Sequence, residues 1–71
     1  MKAEYEIYVR GRLGPEMQRV LADLHPQVRS GRTRLSAEDV DQASLHGILD
    51  RLRDLALEVE SVLRTDAETI E

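Results

Sequence analysis

The segment Arg10-Gly11-Arg12-Leu13-Gly14-Pro15 carries the most suggestive chemistry in this chain. Glycines that lead from an extended run into a helix expose backbone N–H groups, and a helix start favours anions. Arg10, Gly11, Arg12 and Gly14 therefore form a candidate small-ligand site. Against it, Pro15 has no N–H to offer, Glu16 already supplies negative charge to the helix start, and glycines serve wherever a chain must bend. The histidines offer less. His46 and Asp50 stand four apart on an outward helix face, within reach of each other or of a metal. Two ligands on an open surface make a poor metal site, so a solvated pair is the plainer reading. His25 falls at a helix end, where a cation suits the dipole. Carboxylates abound, yet none lies among apolar neighbours that would raise its pKa for acid–base work. No Ser or Thr has a base and an orienting partner in view. The expectation is a chain with no catalytic, cofactor or metal site, and so not an enzyme.

The elements that must position these residues follow from hydrophobic period. Tyr5, Ile7 and Val9 alternate with Glu4, Glu6, Tyr8 and Arg10, which predicts a half-buried strand over residues 4–12. From Pro15 onward Met17, Val20, Leu21 and Leu24 recur at helical spacing until Pro26 stops the helix. Val28 centres a short second strand, and Ser30-Gly31 predicts a tight turn into a third, with Thr33, Leu35 and Ala37 facing inward. Asp41 is placed as the N-cap of a helix whose apolar stripe is Leu45, Ile48, Leu49, Leu52 and Leu55. Gly47 inside that helix costs about 1 kcal/mol relative to Ala, which close approach of the first helix would explain. The period then changes to two without a spacer. Leu57, Val59, Ser61 and Leu63 alternate with Glu58, Glu60, Val62 and Arg64, a fourth strand over residues 57–64. Residues 1–64 read as one domain and 65–71 as an acidic flexible tail.

Strand, helix, strand, strand, helix, strand predicts a ferredoxin-like α+β fold, with two helices on one face of a four-stranded antiparallel sheet in the order 4-1-3-2. A further expectation sets the first and third strands parallel in the centre. Glu4 and Glu6 would then lie beside Arg32 and Arg34, and Arg10 and Arg12 near Glu38. Strand four, antiparallel to strand one, would bring Glu58 and Glu60 to Arg10 and Arg12, and Arg64 to Glu4 and Glu6. Opposite charges paired across strands contribute from a few tenths to about 1 kcal/mol. Arg10, Arg12, Arg29, Arg32 and Arg34 thus read as internally paired on a solvated face rather than as a phosphate or RNA patch.

Composition bounds the remainder. The chain has 71 residues, no cysteine, Lys2 as its sole lysine and a net charge of −4. A chain this short buries only about 60% of its unfolded surface, and without cysteine neither disulfides nor a thiolate zinc site can stabilise it. Oligomerisation is the remaining aid, so a homodimer is expected. Acidity argues against nucleic-acid partners. The opening residues lack a signal-peptide core and no apolar run is long enough for a membrane span, which places the chain in the cytoplasm. Of the two sheet edges, strand two carries Pro26 and Arg29, which discourage pairing. Strand four is the better interface, with Leu57 and Val59, together with Tyr8 and Val62 on the open face.

Asp41-Gln42-Ala43-Ser44-Leu45-His46-Gly47-Ile48-Leu49-Asp50-Arg51-Leu52-Arg53-Asp54-Leu55, followed by Leu57-Glu58-Val59, resembles a signature of short proteins from GC-rich actinobacteria. Tyr5-Glu6-Ile7-Tyr8-Val9-Arg10-Gly11-Arg12-Leu13 is similar to their opening strand. The resemblance covers all but residues 65–71 and brings no activity with it. A glycine often stands in those proteins where Ala56 stands here. More distantly, the element order and the Gly11/Gly14 turn resemble ACT-type regulatory modules, which bind amino acids at subunit interfaces. That analogy implies a second role for the Arg10–Gly14 turn, as a small-ligand site.

Overall fold

Ile7 and Val9 are wholly buried while Arg10 is exposed, so the first strand has one dry face and one wet face. The computed structural model describes residues 2–65. In chain order it contains β1 (Ala3–Arg10), α1 (Pro15–Val20), a 3-10 turn (Ala22–Leu24), β2 (Gln27–Arg29), β3 (Arg32–Val40), α2 (Gln42–Asp54) and β4 (Val59–Arg64). The sheet order is β2-β3-β1-β4, and every neighbouring pair is antiparallel. This is the ferredoxin-like arrangement, with β1 between β3 and β4.

The expected parallel pairing of the first and third strands is wrong. The crossover through α1 makes β1 parallel to β2, and the tight hairpin then returns β3 antiparallel between them. The register accordingly sets Glu6 opposite Ser36, Tyr8 opposite Arg34 and Arg10 opposite Arg32. Strand four keeps its expected direction: Tyr5 pairs with Arg64, and Arg10 lies 3.6 Å from Glu58.

The hairpin loop has Ser30 at φ 50° and Gly31 at φ 79°. Both central residues are left-handed, the geometry whose twist matches a two-residue hairpin. A second irregularity has a larger consequence. Tyr8 pairs with Ser61 while its neighbour Val9 pairs with Val59, so Glu60 is an extra residue on β4. This bulge reverses the inside–outside phase beyond it. Val62 lies opposite Ile7 and packs against the core, whereas Leu63 is 49% exposed on the open face. The expected placement of Val62 on the open face and of Leu63 inside is therefore corrected.

The core gathers Ile7, Val9, Leu13, Leu21, Leu24, Leu35, Ala37 and Leu52. Leu52 is the buried centre of the α2 stripe, and Leu45, Ile48, Leu49 and Leu55 pack around it. Asp41 caps α2 by accepting a hydrogen bond from the Ser44 N–H at 2.8 Å. The far end closes through Leu57 N–H to Leu52 C=O (3.0 Å) and Ala56 N–H to Arg53 C=O (2.9 Å), a Schellman motif with Ala56 at φ 62°.

The first helix is shorter than its periodicity predicts. It ends at Val20, which is 54% exposed, and a 3-10 turn carries Leu24 inward. Arg51 ties this end down: its guanidinium donates to both Asp23 carboxylate oxygens (2.8 and 3.1 Å) and to the Val20 carbonyl (3.0 Å). Gly47 is exposed, and a Cβ there would meet no atom within 4 Å, so close approach of the first helix does not account for it. Thr65 donates its N–H to the Glu4 carbonyl at 2.9 Å, so the ladder runs into the first residue of the expected tail. The rest of that expectation, residues 66–71, lies outside the described residues.

Candidate functional site

Thr33 braces the Arg10–Gly14 turn. It is wholly buried, its hydroxyl donates to the Gly11 carbonyl at 3.0 Å, and the same oxygen accepts the Leu13 N–H at 3.3 Å. Gln18 adds a bond to the Leu13 carbonyl at 2.8 Å. The Leu13 N–H, one of the backbone donors an anion could use, is thus engaged inside the protein. Gly11 sits at φ 88°, a conformation that glycine adopts without steric cost, and this explains it as a bend. Arg10 leans toward Glu58, while Arg12 and Gly14 are exposed.

His46 and Asp50 are both exposed on α2, and the Asp50 carboxylate accepts a hydrogen bond from Arg53. His25 is left-handed at the end of the 3-10 turn, where its N–H donates to the Ala22 carbonyl at 3.1 Å. Among the described residues two carboxylates have displaced titrations, both downward. The hydrogen bond from Arg51 holds Asp23 below the usual carboxylate range, and Arg51 is raised in turn by Asp23. Asp41 is lowered by the backbone N–H of Ser44. Each is held as an anion, the reverse of what a proton donor requires.

The expected interface residues separate into two places. Leu57, Val59 and Val62 come together with Leu49 along an open groove of about 400 Å³ between α2 and the free edge of β4, rimmed by His46, Asp50 and Arg53. Tyr8 is elsewhere. It stands on the open face, its hydroxyl donating to Glu6 at 3.1 Å and its ring lying 5.1 Å beneath the Arg32 guanidinium.

That open face holds a second feature, which the expected parallel register concealed. Arg29 pairs with Arg32, and Arg32 pairs with Arg10, so three arginines occupy one rung across β2, β3 and β1. On the next rung Arg34 lies between Gln27 and Tyr8. Three of these arginines have acidic neighbours: Arg10 with Glu58 (3.6 Å), Arg32 with Glu60 (3.7 Å) and Arg34 with Glu6 (3.5 Å). The Arg32–Glu60 pair spans β1 and depends on the bulge. The Ser30-Gly31 turn was the available signal, since a two-residue loop fixes Arg29 opposite Arg32.

Among the described residues, no helix is long and apolar enough to cross a membrane, and no group of His, Asp and Glu is placed to hold a metal ion. A family model described as Domain of unknown function (DUF8691) matches residues 4–63, from β1 to the penultimate residue of β4. Neither the curated proteins nor the solved structures provide a significant match. The chain belongs to the DUF8691 family.

Proposed function

We propose that this chain is a non-enzymatic interaction module that pairs with a second copy of itself through β4 and the groove beside it. The observation that carries this reading is the meeting of β4, an outer strand of the sheet with no strand beyond it among the described residues, with the apolar groove of Leu49, Leu57, Val59 and Val62. An edge supplies backbone donors and acceptors, and an adjoining groove supplies apolar area. These are the two components of strand addition. The opposite edge, β2, is only three residues long, follows Pro26 and ends at Arg29, a poor template for pairing.

Charge favours a second copy as the occupant. Antiparallel pairing of two β4 strands about Val62 sets Glu60 of each copy, which neighbours Arg32 within its own chain, opposite Arg64 of the other. Such a contact is self-complementary across a two-fold axis.

Sedimentation equilibrium on the full chain from micromolar to millimolar concentration tests the reading. A reversible dimer is expected. Glu60→Arg should weaken it about tenfold or more, a loss of roughly 1.4 kcal/mol, and adding Arg64→Glu should restore it. Both positions are exposed, so the swap leaves the core untouched. A monomer throughout that range, or a dimer indifferent to the swap, would refute the proposed contact.

A further inference from the structure

We propose that Arg29 and Arg32 of the arginine rung, with Arg34 from the next rung, form a binding site on the open face for a phosphate group carried by a small molecule. Like charges set directly opposite one another across a sheet destabilise it, and this sheet does so twice on one rung, Arg29 with Arg32 and Arg32 with Arg10. The acids nearby do not cancel the rung. Glu58 and Glu60 serve Arg10 and Arg32, and Arg29 has no ion-pair partner among the described residues. Arg29 is exposed beside a concavity of about 230 Å³ that it lines with Tyr8, Ser30, Arg32 and Arg34. Arg34 adds a buried Nε with no hydrogen-bond partner.

These groups match a tetrahedral dianion. Guanidinium forks donate in parallel pairs to phosphate oxygens, and three arginines from two strands line this concavity, Arg34 also donating to Glu6 and Gln27. Ser30 lines the same concavity and adds a hydroxyl donor. A liquid water occupies about 30 Å³, so the concavity holds a phosphate with several waters but not a large ligand. The Arg32–Tyr8 contact holds the Arg32 guanidinium before any ligand arrives, and the hairpin sets the Arg29 backbone opposite it, which limits the ordering cost on binding.

A nucleic acid suits the site less well. The chain carries a net charge of −4, which repels an extended polyanion. The ring of Tyr8 is covered by Arg32, so it offers no free platform for base stacking. The site lies on the opposite face of the sheet from the β4 groove; Glu60 alone belongs to both, as the neighbour of Arg32 and as a β4 edge residue, so Arg29→Gln tests this site without touching the proposed dimer contact.

The test is a titration of the full-length protein followed through its backbone amide resonances, at constant ionic strength, with inorganic phosphate, glycerol phosphate, chloride and an oligouridylate as separate arms. Saturable shifts centred on Tyr8, Ser30, Arg32 and Arg34 are expected with phosphate and with its monoester, tighter binding of the monoester marking an organic ligand. Arg29→Gln should weaken binding about tenfold, the effect of losing one charge-assisted hydrogen bond. The exposed Arg19→Gln on α1 should leave it unchanged. Arg29→Gln should also raise the melting temperature in chloride by relieving the like-charge rung, and abolish the further rise that phosphate gives the parent. Non-saturating shifts, equal responses to chloride, a response to oligouridylate alone, or unaltered phosphate affinity in Arg29→Gln would overturn the proposal.

Discussion

Replacing Ala56 by glycine should make this protein more stable, although it deletes a methyl group. Ala56 occupies the left-handed position of the motif that ends α2, at φ 62°, and its N–H and that of Leu57 close the helix onto Arg53 and Leu52. An L residue in that conformation costs about 1–2 kcal/mol, because its Cβ crowds the following carbonyl. Glycine escapes this cost but loses about 0.5–1 kcal/mol more than alanine in conformational freedom on folding. The side chain is exposed, so no packing is lost with it. The difference leaves a net gain of about 0.5–1 kcal/mol. In a domain of this size each kcal/mol moves Tm by about 4–8 °C, so Ala56→Gly should raise it by about 2–8 °C. Thermal melts and urea titrations followed by circular dichroism measure both quantities, and the urea slope should stay constant while the midpoint rises. An unchanged or lowered midpoint would mean that α2 does not end in a left-handed residue, and the register of β4 would need revision with it.

Three further outcomes follow from the same geometry. Thr33→Val should cost about 1–3 kcal/mol in urea titrations despite the good strand propensity of valine, because it strands the Leu13 N–H and the Gly11 carbonyl; Thr33→Ser should recover most of the loss. Gly47→Ala should stabilise by about 0.5–1 kcal/mol, read from the same titrations, since the added Cβ enters open space on an exposed helix face. Acid should weaken the fold in a defined window. Asp23 and Asp41 titrate lower when folded than unfolded, so their contribution is complete above the unfolded value of about 3.9 and is lost as pH falls through the folded values. Melts from pH 6 down to pH 2 should fall less steeply for Asp23→Asn/Asp41→Asn than for the parent; identical acid limbs would remove this assignment.

Local pattern carried the sequence far. Alternation in Tyr5–Val9 and Thr33–Ala37 marked the inner faces, Asp41 marked a helix start, and Ser30-Gly31 marked a hairpin. The dominant forces at those points act between residues close in sequence, so the residues themselves reveal them. The change of period after Leu55 likewise located β4 and, with the other elements, the ferredoxin-like order. The end of α1 was less legible, since Arg51, twenty-eight positions beyond Asp23, secures it.

What the sequence could not determine was relative placement across the sheet. The direction of β3 against β1 depends on how the α1 crossover and the hairpin combine, and only that direction brings Arg10, Arg32 and Arg29 onto one rung. The extra residue at Glu60 leaves no mark in composition, yet it turns Val62 into the core-side groove and Leu63 out to solvent. Side-chain types along a strand specify which faces are apolar. The partner opposite each residue is decided by strand direction and by bulges, which arise when whole elements compete to bury the same core.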